Sequence, residues 1–226
     1  MKQAYFLTGT DTEIGKTFIT CALLHCASQL GRKAAGLKPV AAGTDATGQN
    51  EDVEQIRAAS NVVLPLAITN PYCFKAAVAP HIAAAEEGIR IEFATIKATL
   101  DKAMQQADLL IIEGAGGFRV PLGGGQDSAD LAVALDLPLI LVIGMRLGCI
   151  NHALLTIEAI TARRLKIAGW VANRIDPAMS CFAENLATLQ GLIAAPLLGV
   201  VPHDLTGGAV AAARHLQLPS TTDLAP

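Results

Sequence analysis

Charge is scarce in this chain. Only 16% of its 226 residues are Asp, Glu, Lys or Arg, against 52% apolar, and the net charge is −3. No basic run is present, which argues against nucleic acid or an anionic membrane surface as a partner. Long apolar runs are also missing. The longest clean one, Leu137 to Met145, contains Pro138 and is far too short to span a bilayer. Strand-like sequence begins within a few residues of Met1, so no signal peptide is expected and the cytoplasm is the expected compartment. Five cysteines (Cys21, Cys26, Cys73, Cys149, Cys181) are scattered, odd in number and free of any Cys-x-x-Cys pair. That pattern fits a reducing compartment better than a disulfide framework and gives no zinc-ligand spacing. Linker-like segments, low-complexity tracts and internal repeats are absent, so a single domain over residues 1–226 is expected.

What is present is an alternation of short apolar runs and longer helical patterns. Strands are expected at 5–8, 34–37, 109–112, 139–143, 168–172 and 197–201. Helices are expected at 16–30, 51–59, 91–107, 128–135, 151–164 and 179–192. Unbroken apolar strands imply a sheet covered on both faces, and strand–helix alternation implies parallel crossovers. The expected fold is a three-layer α/β/α sandwich with a mainly parallel central sheet. Trp170 falls inside a strand pattern and reads as core. The sequence after Pro202 is weakly patterned and gives no placement.

The strongest chemical signal is Gly9-Thr10-Asp11-Thr12-Glu13-Ile14-Gly15-Lys16-Thr17, set between the first strand and a helix beginning near Phe18. Loop N–H groups and a helix N-terminus form a cradle for phosphate. Lys16 can reach the outer phosphates, and the Thr17 hydroxyl can ligate Mg²⁺. This is a P-loop, which makes the expected fold P-loop NTPase-like and ATP the expected co-substrate. Five residues rather than four separate Gly9 from Gly15, and the acidic pair Asp11 and Glu13 lies inside the loop. Both features mark a subtype.

In such sheets ligands gather at the carboxyl ends of the strands. Glu113 ends one strand and is a candidate Mg²⁺ ligand or a solvated loop acid. Asp52 sits at a helix start, either as a helix-terminal acid or as a metal ligand. Lys38 ends a buried strand, where lysine is rare unless its charge meets an anion. With Lys16 it would put two cations at a transferring phosphoryl group, the alternative being a snorkelling strand-end lysine. Gly114, Gly116 and Gly117 permit close backbone approach, whereas Gly123-Gly124-Gly125 reads as a mobile loop. Leu147-Gly148-Cys149-Ile150-Asn151-His152 reads as a loop feeding a helix N-terminus that can hold a carboxylate. No base is visibly paired with Cys149, and His81 and His152 read as structural or binding groups.

Together these residues resemble the dethiobiotin synthetase family. The resemblance rests on the loop at 9–17, Gly-Leu-Lys-Pro-Val at 36–40, Asn-Pro-Tyr-x-Phe at 70–74, Ala-Pro-His-Ile-Ala at 79–83, Glu-Gly-Ala-Gly-Gly at 113–117, Leu-Gly-Cys-Ile-Asn-His at 147–152 and Gly-Trp-Val-Ala-Asn at 169–173. The resemblance implies ring closure of 7,8-diaminononanoate with CO₂ and ATP, Mg²⁺ being required. A carbamate forms on the 7-amino group, a carbamate oxygen attacks the γ-phosphate, and the 8-amino group closes the ring as phosphate leaves. It further implies that Thr12, Lys16 and Lys38 are catalytic, Lys16 and Lys38 holding the carbamate and γ-phosphate and Thr12 lining the loop at the substrate and phosphate end, and that Glu13, Ile14, Gly15, Thr17, Phe18, Glu113, Gly116, Asn173 and Pro202 complete the nucleotide site. Thr17, Asp52 and Glu113 would bind Mg²⁺. The diamine would meet Thr12, Lys38, Ala42 and Pro80, with its carboxylate at Leu147, Gly148, Cys149, Ile150 and Asn151 of a partner subunit, so a homodimer is implied.

Two positions depart from the family pattern. Ala41-Ala42 stand where a Ser or Thr is common, and Ala79 stands where Ser often precedes Pro-His. Each loses a hydroxyl near the substrate. Two other readings compete. An amidoligase of the cobyrinate a,c-diamide type would need an ammonia source for which this chain has no room. A dimerising P-loop ATPase switch would need an early second lysine in the loop, where Thr10 and Asp11 stand, or a docking segment.

Overall fold

The computed structural model describes residues 2–220. Its strands are β1 (Gln3–Gly9), β2 (Ala34–Leu37), β3 (Val40–Ala42), β4 (Tyr72–Phe74), β5 (Leu109–Glu113), β6 (Pro121–Gly123), β7 (Gln126–Asp127), β8 (Leu139–Met145), β9 (Ile167–Arg174) and β10 (Leu197–Val201). Its helices are α1 (Lys16–Gln29), α2 (Glu51–Ala59), α3 (Leu66–Thr69), α4 (Pro80–Glu86), α5 (Phe93–Met104), α6 (Ser128–Leu135), α7 (Cys149–Ala162), α8 (Phe182–Leu192) and α9 (Gly208–Ala212). Six strands form one sheet in the order β10-β9-β8-β1-β5-β2, and every pairing in it is parallel.

Burial on both faces explains the unbroken apolar strands. On β1, Ala4 and Phe6 join a core with Leu110, Ile112, Ile96 and Leu100, under α5 and α6. The alternate residues Tyr5 and Leu7 join Ile19, Leu23 and Ile111, under α1. On β8, Leu141 and Ile143 pack with Trp170 and Leu189 beneath α7 and α8, and Trp170 is 1% exposed. The chain leaves β1 towards β5 and β2, then crosses to β8, β9 and β10. The carboxyl end of β1 is therefore the topological switch point, where ligands bind in such sheets.

Helix starts divide into two kinds. Asn50 caps α2 by accepting from the Val53 N–H at 3.2 Å, and Asp127 caps α6 in a reciprocal box with Asp130. In contrast, α1 and α7 begin after Gly15 (φ 81°) and Gly148 (φ 93°), with no side-chain cap. Their left-handed glycines turn the chain sharply into the helix and leave the first N–H groups open to a ligand.

Several boundaries and minor elements differ from the sequence expectation. Helix α7 begins at Cys149, not Asn151, so Cys149 is a buried helical residue rather than a loop thiol. Helix α8 begins at Phe182, three residues after the expected Met179, and α5 is shorter at both ends than 91–107. Gly123-Gly124-Gly125 forms the turn of the β6–β7 antiparallel hairpin, because its three positive φ angles reverse the chain. Beyond Pro202 the chain forms α9, which packs on α1, and Gln217 N–H donates to the Leu198 carbonyl at 2.9 Å. Residues 221–226 of that tail lie outside the described residues.

Candidate active site

Strand register assembles the charged centre. Leu7 is opposite Glu113, and Leu37 is opposite Ile112, so Lys38, one residue beyond Leu37, comes level with Glu113. The Lys38 ammonium donates to Glu113 Oε1 at 2.7 Å and to Asp52 Oδ2. Its backbone is fixed as well: Lys38 N–H donates to the Thr69 carbonyl, and Asn70 Nδ2 donates to the Lys38 carbonyl at 2.6 Å. The strand-end lysine meets anions, as expected, and in this arrangement they are the protein's own carboxylates.

Glu113 has no exposed surface. A bare carboxylate there would be untenable, and it is fully partnered. Thr17 Oγ1 donates to Oε1 at 2.8 Å and Thr20 Oγ1 donates to Oε2 at 2.7 Å, with Lys38 completing the set. Asp52 is the second residue of α2 and half-exposed. It is therefore both a helix-terminal acid and part of the charged centre. Burial is the largest influence on its pKa and raises it, but the Lys38 charge, hydrogen bonds from Lys38 and Thr17 and the Lys16 charge together outweigh that, and the carboxyl is held below its usual range. For Lys38, burial is the largest influence and lowers the pKa; Glu113 and Asp52 together outweigh it, leaving the ammonium above its ordinary value.

Lys16 is 7% exposed and donates to the Asp11 carbonyl at 2.7 Å. Burial pushes its pKa down to about 8, and the Lys38 charge acts in the same direction. A phosphate in the cradle would reverse this by adding negative charge. ATP binding should therefore draw in roughly half a proton at pH 8, with the uptake rising above that pH and vanishing below pH 7. Calorimetry in buffers of different ionisation heat reads the number directly. No uptake anywhere between pH 7 and 9 would overturn the pairing of a lowered Lys16 pKa with its restoration by phosphate.

The sequence-derived residues fall into three groups. Thr12, Lys38, Ala42, Asp52, Pro80 and Gly116 line one cavity of about 590 Å³. Gly116 has a positive φ of 60°, and a Cβ there would stand 2.9 Å from Val120 Cγ2 and 3.3 Å from the Thr12 hydroxyl, which explains a glycine there. Ile14, Gly15, Lys16, Thr17, Phe18 and Asn173 gather round the cradle. Asn173 Nδ2 donates to the Ile14 carbonyl at 2.8 Å, so it braces the loop from the end of β9; Pro202 lies one residue past β10, whose Val201 is opposite Asn173. Glu13 is exposed with a positive φ of 58°. Leu147, Gly148, Cys149, Ile150 and Asn151 form the start of α7 and are not among the residues lining the cavity. His81 is half-buried, and its Nδ1 has no partner among the described residues.

Sequence reasoning missed Thr20, although it lies three residues after Thr17 and so on the same helix face. It gave Asn70 no role beyond the Asn-Pro-Tyr-x-Phe motif, and it missed Arg119. Arg119 lines the cavity and pairs with Asp127, which itself lies against Arg163.

For Mg²⁺ the donor set fits. Thr17, Asp52 and Glu113 offer only hard oxygens, which Mg²⁺ requires, and the Lys38 ammonium already marks a point where a cation meets both carboxylates. These residues would hold the ion beside the phosphates, where it would neutralise charge.

A parallel sheet with an uncapped helix and a lysine–threonine cradle at its switch point defines a P-loop nucleotide-binding protein. Solved structures agree on the fold. MinD from Aquifex aeolicus matches with a TM-score of 0.54 at 15% identity over 94% of this chain and 95% of that one. MinD from Pyrococcus horikoshii, solved with Mg-ADP, matches with 0.51 at 16% identity over 94% and 86%. An AAA domain family model covers residues 3–208. The ATP-dependent dethiobiotin synthetase of Aromatoleum aromaticum is 60% identical over 96% of this chain and 98% of its own length. The chain belongs to the ATP-dependent dethiobiotin synthetase family.

Proposed function

We propose that this chain closes the ureido ring of dethiobiotin from 7,8-diaminononanoate, CO₂ and ATP, as an ATP-dependent ligase of biotin biosynthesis. The observation that carries the reading is the joining of the P-loop cradle to a cavity: Thr12 belongs to both, and Lys38 of the cavity is tied through Glu113 to Thr17 of the cradle. The neutral 7-amino group adds to CO₂ in that cavity and releases a proton to solvent, giving a carbamate. The carbamate oxygen attacks the γ-phosphorus, ADP leaves, and the 8-amino nitrogen attacks the carbonyl to expel phosphate and lose a proton. Each acceptor already bears the negative charge or lone pair it needs, so the protein supplies position and cations rather than a nucleophile. Lys16 and Lys38 approach the γ-phosphate from two elements, and Thr12 stands between cavity and loop.

The diamine's carboxylate end we assign to the start of α7 in a second copy. Two features support this. Those residues do not line their own chain's cavity, and exposed leucines lie just before α7, at Leu147 (91%), and on it, at Leu154 and Leu155. The metal assignment to Thr17, Asp52 and Glu113 and the nucleotide roles of Asn173, Gly116 and Pro202 are part of the same proposal. No helix among the described residues is long and apolar enough to cross a membrane.

The test is phosphate release from Mg²⁺·ATP with and without diamine and bicarbonate. Release that requires both supports the reaction; release independent of both sinks it. Repeating the assay through a dilution series tests the dimer, because an active monomer is incompatible with a shared site. Ala42 and Ala79 line the cavity without hydroxyls. Ala42→Ser should lower the diamine KM several-fold, by about one added hydrogen bond. An unchanged KM would show that the missing hydroxyl does not matter.

A further inference from the structure

An acidic residue inside a phosphate-binding loop repels the anion that the loop holds, and Asp11 occupies such a place. Its Oδ1 accepts from the Thr12 N–H at 2.8 Å, and its carbonyl holds Lys16 at 2.7 Å. Its Oδ2 accepts from Arg146 Nη2 at 2.6 Å. Arg146 comes from the next strand over. It follows β8, whose Val142 is opposite Gly9 of β1, and Thr10 N–H donates to the Val142 carbonyl at 3.0 Å. The Arg146 carbonyl then accepts the Cys149 N–H at 3.0 Å as the chain turns into α7. Arg146 thus ties the cradle to the start of α7.

We infer that Arg146 is a positioning residue for the nucleotide, acting through Asp11. This rests on the loop being the ATP site. The guanidinium neutralises the carboxylate and draws it towards the β8 end. That removes a like charge from the phosphates and fixes the loop that carries Thr12 and Lys16. Both side chains are about two-fifths exposed, 43% and 42%, so the pair is screened and adds little to fold stability. Its effect belongs on ligand affinity, where the charge of an incoming triphosphate multiplies an uncompensated carboxylate.

The experiment is calorimetric titration of ATP into full-length protein, without diamine or CO₂, for wild type, R146A, R146K, D11N and R146A/D11N. R146A should weaken ATP roughly tenfold, with the deficit shrinking as salt rises. R146K should stay within about threefold of wild type, and D11N should bind at least as tightly. The deciding result is R146A/D11N: removing the carboxylate should restore most of the affinity, which a merely structural role for Arg146 would not allow. Wild-type affinity in R146A, or a double variant no tighter than R146A, overturns the inference. Wild type that binds no ATP overturns the loop assignment as well, whereas loss of ring closure with ATP binding intact touches only the reaction.

Discussion

Lys16→Ala is expected to abolish ring closure, by about 10³-fold or more in kcat, while leaving a folded protein. The chemical half follows from position. Lys16 is the first residue of an uncapped helix, its ammonium reaches into the cradle, and among the described residues its hydrogen-bond acceptor is the Asp11 carbonyl. The ammonium is thus free to transfer to phosphate with no side-chain partner to abandon. The stability half follows from its pKa. A lysine lowered from 10.5 to about 8 is disfavoured in its charged form by folding, on the order of 3 kcal/mol at neutral pH. The unfolded chain binds more protons across the window from pH 8 to 10.5, so this penalty is greatest below pH 8 and fades as pH rises through that window. Alanine removes the penalty and also the stem that packs beneath Gly9. The two effects oppose, and the melting temperature at pH 7 should stay within a few degrees of wild type. Full activity in this variant would refute the cradle assignment; a collapsed melting transition would show that Lys16 is structural.

How far the sequence reached depends on the range of the interaction. The six sheet strands and six of the helices were legible because burial on both faces leaves an unbroken apolar run, and Gly15-Lys16-Thr17 is local. Lys38 was legible because a charge at the end of a buried strand demands an anion. Which anion was not, since that depends on β2 and β5 being neighbours with Leu37 opposite Ile112. Strands β3 and β4 were missed because each is three residues long and their pairing joins residues 32 positions apart in the chain. The Asp11–Arg146 pair joins residues 135 apart in sequence and needs the adjacency of β1 and β8. Thr20 is the exception. Its helical spacing from Thr17 was visible, but a threonine in an apolar helix reads as core until a buried carboxylate is known to face it.

Glu113→Gln is the second large effect, and it should appear in the divalent-cation requirement. The amide is the same size and can keep its oxygen towards Thr17 and Lys38 while its nitrogen faces Thr20, whose hydroxyl can turn to accept. The packing around this fully buried residue is therefore retained and the negative charge is lost. With one carboxylate fewer, Lys16 and Lys38 face only Asp52 and Asp11, and the local balance shifts towards positive before ATP arrives. The half-saturating Mg²⁺ concentration should rise about 10- to 100-fold, the range found when a group supporting a metal site is removed. Stability should fall by roughly 1–3 kcal/mol, because a buried ammonium loses one of its two counter-charges but keeps the other. A magnesium titration of phosphate release, paired with thermal melts, separates the two consequences. An unchanged Mg²⁺ requirement with a lowered melting temperature would leave Glu113 as a brace for Lys38 and the α1 threonines and remove it from the metal's surroundings.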